Sequence, residues 1–209
     1  MLVHGELENT IYARNVPGIH EIMKNGKVAI AGLGGLGSNI AVMLARIGVG
    51  KLLLVDYDIV EPSNLNRQHY DITHLRMLKT DALKSQIDKI NPFIETETCA
   101  IKVTEDNALE VFKDYPIVCE AFDSPQYKAI LVNALLEKGG VKIVAASGMA
   151  GYDSANKIRT RHVFANLYVC GDLEPTSQEG VGFMAPRVGI CAGHQANMVL
   201  RLLLNIEKE

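Results

Sequence analysis

The chain has 209 residues, 48% hydrophobic and 22% charged, with a formal net charge of −3. That is ordinary globular composition with room for a sizeable core, and it argues against a general nucleic-acid binder. No apolar run approaches the ~18 residues of a membrane span, and the start MLVHGELENT lacks the regions of a signal peptide.

Cys99, Cys119, Cys170 and Cys191 form no C-x-x-C pair, so they suggest neither a zinc site nor a disulfide framework. The expectation is one domain over residues 1–209 in a reducing cytoplasm, with no membrane or nucleic-acid partner.

Residues 1–26 read as an arm outside the main sheet, with a short helix within 6–20 broken at Pro17-Gly18. Lys27–Ala31 is a short apolar strand. Gly32, Gly34 and Gly37 follow as G-x-G-x-x-G, with Gly35 inside the turn. The first glycine allows a tight turn, the second lets backbone N–H groups approach a phosphate, and the third lets helix and strand pack closely. Ala41, Leu44, Ala45 and Gly48 recur at helical spacing on one face, so the helix N-terminus faces the turn and favours an anion. Lys51–Val55 is a second buried strand. It ends in Asp56, a carboxylate placed to bond a ribose hydroxyl. Together these predict a nucleotide site without naming the nucleotide.

Pro62 and Ser63-Asn64 mark a turn. Asn64, Arg67 and Gln68 stand at i, i+3, i+4, so a single helical turn would project them from one side. Arg67 suits phosphate oxygens; a solvated polar loop is the other reading. The spacing predicts a helix over 75–90 with Lys79 near its start, either a surface charge or a functional one. A strand over 94–101 and a helix over 104–113 with Thr104 as N-cap follow. The strand over 116–121 runs into Phe122-Asp123-Ser124-Pro125. Asp123 is then a metal-ligand candidate at the carboxyl end of a parallel strand, or else the N-cap of a helix over 125–138. A fifth strand spans 141–146.

Residues 156–169 read as a strand pair extending the sheet antiparallel. Arg159 and Arg161 share one face, which charge protection of an edge also explains. Residues 170–186 form a long polar, glycine-rich connection of the kind that is often functional. A helix over 187–204 closes the chain, with Val199, Leu202 and Leu203 as its buried stripe. The fold class is α/β: a Rossmann-like doubly wound parallel sheet extended by antiparallel strands in the C-terminal half.

The strings GLGGLGS, VDYDIVEPSNLNRQ, CEAFDSP, VAASGMAG and MAPRVGICAGHQA occur in that order. Over roughly residues 20–205 the chain thereby resembles the ThiF/MoeB/HesA family, bacterial relatives of ubiquitin-activating enzymes, and above all its short thiamine-biosynthesis ThiF-like branch. The resemblance implies ATP-dependent adenylation of the C-terminal glycine of a small ubiquitin-like sulfur carrier ending in Gly-Gly, in thiamine or related sulfur metabolism. It implies that Gly32, Gly34, Gly35 and Gly37 pack on the ATP phosphates, that Asp56 binds the ribose, and that Asn64, Arg67 and Lys79 hold the triphosphate. Gln68 belongs to the same motif. Asp123 would coordinate Mg²⁺, and Arg14 would reach across a homodimer to the partner's ATP. Arg67, Lys79, Asp123 and Arg14 form the implied catalytic set.

The chain departs from the family in places. Only Cys170 falls near the first zinc-binding pair of longer relatives, so no structural zinc is expected. Residues 171–186, the crossover-type loop, hold no cysteine. Cys170 at its edge is the one candidate for a persulfide or covalent link, against the simpler reading of a small buried residue. Three other functions compete: an ATP-binding dimer without catalysis, an activator of another carboxylate, and a small NAD(P)-dependent oxidoreductase.

Overall fold

The computed structural model describes residues 4–174 and 182–209. A seven-stranded sheet runs in the order β3-β2-β1-β4-β5-β7-β6. Its strands are β1 (Lys27–Ala31), β2 (Lys51–Val55), β3 (Glu95–Cys99), β4 (Ile117–Glu120), β5 (Lys142–Ala146), β6 (Arg159–Phe164) and β7 (Leu167–Gly171). The first five are parallel, and of these β1, β2, β4 and β5 are buried on both faces, as parallel strands usually are. The C-terminal hairpin joins differently from the expected antiparallel extension: β7 lies parallel to β5, and only β6 runs antiparallel, to β7. β6 is therefore one edge strand and β3 the other. Arg161 donates to the carbonyl of Gly171 at 2.8 Å.

Helices cover both faces. The helices α1 (His4–Ile11), α2 (Ile19–Met23), α3 (Gly35–Ile47), α4 (Lys79–Ile90), α5 (Ala108–Val111), α6 (Pro125–Lys138) and α7 (Ala185–Leu203) complete the chain. One core joins Leu36, Ile40 and Leu44 of α3, Leu83 and Ile87 of α4, and Val188, Cys191, Val199 and Leu202 of α7 to the sheet. The other gathers Phe112, Leu131 and Leu135 on the opposite face. Leu203, expected in the buried stripe of α7, is only partly buried. Strand order reverses between β1 and β4, which opens a crevice at their carboxyl ends.

Three helix boundaries differ from the sequence reading. Residues 75–78 are not helical: Arg76 donates to the carbonyl of Val60, Val60 to that of Met77, and Lys79 to that of Asp58. These bonds hold the segment in a turn, with Arg76 at φ 71° and Leu78 in a bridge to Ile59, and α4 starts only at Lys79. Thr104 caps nothing. Asn107 instead accepts from the Thr104 N–H at 2.8 Å and donates to the Lys102 carbonyl at 2.9 Å, closing a loop ahead of the short α5. In the arm, α1 and α2 flank Pro17-Gly18, where Gly18 takes φ 81°.

The glycines of the first turn divide their work. Gly32 has φ +90°, and a Cβ on Gly37 would stand 1.8 Å from the Gly32 carbonyl oxygen. At Gly34 a Cβ would find only Gln68 Nε2, at 3.8 Å. Gly37→Ala should therefore cost at least about 2–3 kcal/mol of stability, while Gly34→Ala should fold and melt like the parent. Thermal unfolding of the two variants checks this contrast.

Candidate functional site

The site is built around Leu33. Its N–H donates to Asp56 Oδ2 at 2.7 Å, and its carbonyl accepts from the Tyr70 hydroxyl at 2.9 Å. Both backbone groups of the turn's central residue are thus fixed. Burial raises the Tyr70 pKa, so the phenol stays a donor. Beyond this clamp α3 begins at Gly35, with no side chain capping it. The N–H groups of Gly35, Leu36 and Gly37 meet no acceptor among the described residues. An uncapped helix start at the carboxyl end of a parallel sheet is a ready anion site.

Asp56 is buried, and its second oxygen accepts the Asp58 N–H at 2.9 Å. It braces the turn as well as facing the crevice. Lys79 is buried beside it, 3.9 Å from Asp56 Oδ2 and 2.8 Å from Asp58 Oδ2. Asp58 is half-exposed, so an arriving anion can draw the ammonium away from it.

The segment after Pro62 makes a short 3-10 turn, Pro62–Asn64, and its three polar residues do not share one outward face. Asn64 Oδ1 accepts from the Glu61 N–H at 3.0 Å, closing a capping box. Gln68 turns inward, its amide over Gly34 and its Oε1 buried without a partner among the described residues. Arg67 is half-buried and donates to the Ser63 carbonyl and to Asn66 Oδ1. Its stem lies 3.6–3.7 Å from where a Gly35 Cβ would be. The structure thus brings the glycine turn, Asp56, Gln68, Arg67 and Lys79 together at one end of α3.

Asp123 follows β4 and is exposed, with no hydrogen bond or ion pair among the described residues. The N-cap of α6 is Ser124, not Asp123, and the Ser124 hydroxyl donates to Gln126 instead of capping. Asp123 is therefore free for a cation. Among the described residues no cluster of three His, Cys, Asp or Glu side chains could hold a metal. Mg²⁺ needs only one or two carboxylates when phosphates supply the remainder, so Asp123 suits it.

Arg14 stands apart. Tyr12, two residues earlier, stacks on His20 at 4.0 Å and packs against Gly48, where a Cβ would meet its ring at 2.7 Å. Asn91 ties this end of α3 together, donating to the Tyr12 hydroxyl and to the Ala45 carbonyl. Gly48 lies at the far end of the 13-residue α3, about 20 Å from the glycine turn. Arg14 follows Tyr12 by two residues, on the arm anchored at that far end of α3.

The sequence reading missed Glu120. It is fully buried at the end of β4, pairs with Lys128, and accepts the Phe122 N–H at 2.8 Å. It thereby fixes the backbone that carries Asp123. An acid ending an apolar strand, with a lysine in the first turn of the next helix, was the available signal. The cysteines are unsuited to nucleophilic work. Cys119, Cys170 and Cys191 are buried, and burial pushes the Cys170 thiol up to about 11 and Cys191 to about 12.

Residues 12–209 match the model of the ThiF family. The chain belongs to the ThiF family. It is 34% identical over 192 residues to the adenylyltransferase and sulfurtransferase UBA4 of Saccharomyces cerevisiae, which covers 88% of this chain and 43% of the relative. The UBA4 protein of Kluyveromyces lactis is 31% identical, with the same coverage. The chain thus spans less than half the length of these curated relatives, whose stated chemistry is adenylyl transfer joined to sulfur transfer.

The Escherichia coli tRNA N6-threonylcarbamoyladenosine dehydratase TcdA, solved with ATP, has the same fold at 18% identity. The TM-score is 0.86, over 98% of this chain and 97% of that one. E. coli MccB with MccA-N7isoASN aligns with a TM-score of 0.74 at 23% identity, over 95% of this chain and 65% of that one. Among the described residues, no helix of the ThiF-family chain is long and apolar enough to cross a membrane.

Burial raises the Glu120 pKa above its ordinary 4.5 more than Lys128 and the Phe122 and Ala146 N–H groups lower it. The folded state therefore holds that proton more tightly than the unfolded chain. Its stabilising share is complete below about pH 4.5 and is lost as pH rises through the higher folded value. The melting temperature of Glu120→Gln relative to the parent should accordingly climb as pH goes from 4 to 8. A pH-independent difference would contradict this.

Proposed function

We propose that this chain adenylates the C-terminal glycine carboxylate of a small ubiquitin-like carrier with ATP, in thiamine or related sulfur metabolism. The observation that carries the reading is the uncapped start of α3 behind a clamped glycine turn, with Arg67 and Lys79 beside it and Asp123 free across the crevice. Kinship to adenylyltransferases supports it.

The carboxylate oxygen attacks the α-phosphorus. The bond from that phosphorus to the bridging oxygen breaks, and pyrophosphate leaves with the electron pair. The carboxylate is already ionised at neutral pH, so no general base is required, and the protein's tasks are alignment and neutralisation of charge. Backbone N–H groups of α3, Arg67 and Lys79 face the phosphates, with Gln68 over the turn, Asn64 beside it and Asp56 toward the ribose. Mg²⁺ held by Asp123 would neutralise phosphate charge when bound. The anchoring of the Arg14 arm at the far end of α3 supports a homodimer in which it serves the partner's ATP.

A second reading is favoured by the cysteines. With Cys119, Cys170 and Cys191 buried and partly exposed Cys99 also raised in pKa by burial, no cysteine among the described residues has an activated thiol for covalent sulfur handling. Activation of another carboxylate, such as a peptide C-terminus, then uses the same site.

Mg²⁺-dependent pyrophosphate exchange into ATP, with and without a Gly-Gly-ending carrier, tests the reading. Carrier-dependent exchange supports it. Exchange only with another carboxylate favours the second reading, and none with any substrate overturns both. Arg67→Ala and Asp123→Ala should lower the exchange rate roughly 10²–10³-fold, while Cys170→Ala should leave it unchanged. Mixing inactive Arg14→Ala and Arg67→Ala proteins should restore roughly a quarter of wild-type activity, since half the dimers then carry one complete site. No recovery would place Arg14 outside the partner's site.

A further inference from the structure

Phe183 enters α7 from a backbone fixed on both sides. Gly151 donates to the carbonyl of Gly182 at 2.8 Å, and Gly151 and Phe183 form an isolated parallel bridge. Four residues later Arg187, in the first turn of α7, is buried. It pairs with Asp172 and donates to the Ser154 carbonyl at 3.1 Å. The Phe183 ring is 38% exposed, so its place is not set by burial in the core. What it meets is Arg67, whose guanidinium carbon lies 5.8 Å from the ring centroid.

Arg67 is confined along its whole length. Its stem lies over Gly35, the first residue of α3, where a Cβ would touch it at 3.6–3.7 Å and press on Val188 at 3.0 Å. Its head donates through Nη1 to the Ser63 carbonyl and Asn66 and rests by the Phe183 ring. A guanidinium is planar and weakly hydrated, and it stacks on aromatic faces while its in-plane N–H groups stay available. Those groups can fork onto phosphate oxygens.

We propose that Phe183 is a positioning residue for Arg67. Its ring holds the guanidinium at the mouth of α3, where that cation meets the phosphates beyond the first. An arginine held this way has less side-chain freedom to lose on binding. The segment leading into α7 thereby sets how much positive charge the nucleotide meets. The proposal rests on the ATP reading above.

The test is calorimetric titration of ATP, and separately of AMP, into the wild type, Phe183→Leu and Phe183→Tyr, with Phe183→Leu repeated in an Arg67→Ala background. Phe183→Leu should raise the Kd for ATP roughly two- to fivefold and leave AMP, which has only the α-phosphate, unaffected. Phe183→Tyr, which keeps the ring, should restore the wild-type value. In the Arg67→Ala background the leucine should add no further loss.

Equal weakening of ATP and AMP, or a loss that persists without Arg67, would make Phe183 a packing residue only and overturn the proposal. Unchanged ATP binding in Phe183→Leu would overturn it as well. A wild type that binds no ATP, with its melting transition intact, would instead defeat the ATP reading and this inference with it.

Discussion

Gly37 has to lie against the carbonyl of Gly32, with no room for even one carbon between them. That approach brings the start of α3 down onto the end of β1, and the chain turns there only because Gly32 accepts a positive φ. Asp56 and Tyr70 then hold the two backbone groups of Leu33 in place. Once the turn is fixed, the first N–H groups of α3 face the crevice without acceptors. The sheet order places that crevice where β1 and β4 part, and the residues after β2 and β4 arrive around it. Every charge attributed to the site is positioned relative to this one contact.

Both cations of the site have partners within the chain. Lys79 is paired with Asp58, and Arg67 is occupied by a carbonyl, an asparagine and an aromatic ring. Neither cation is left buried and alone, a state that would carry a heavy desolvation cost. Asp58, Ser63 and Asn66 lie at the rim, where exchange for phosphate oxygens is easy. The buried pairs, Glu120 with Lys128 and Arg187 with Asp172, lie further in. They hold the backbone that carries Asp123 and Phe183. The site thus combines one exchangeable ion pair at its mouth with fixed ones behind it.

The glycine turn, its flanking strands and Asp56 were legible because their demands are local: turn geometry, alternation and a short interval of sequence. The placement of β7 parallel to β5 was not, since a hairpin reads the same whichever strand meets the sheet. The delayed start of α4 had a similar cause. Residues 75–78 have helical spacing, but hydrogen bonds to residues 58–60 hold them in a turn, and propensity yields to that tertiary contact. At the candidate site, the motif pointed to Arg67 and Lys79 by resemblance, while spacing alone gave Asn64, Arg67 and Gln68 a common face that the 3-10 turn breaks. Phe183 and Arg187 act through partners distant in sequence, which no periodicity reports, whereas Glu120 had a local signal in the lysine eight residues on.

The most direct measurement is a crystal structure of the chain with ATP and Mg²⁺. The account predicts β- and γ-phosphates within hydrogen-bonding distance of the N–H groups of Gly35 to Gly37, with Lys79 turned from Asp58 toward the phosphates and the metal on Asp123. A nucleotide bound elsewhere, or one at this turn with Lys79 still on Asp58 and no contact from Arg67, would contradict it.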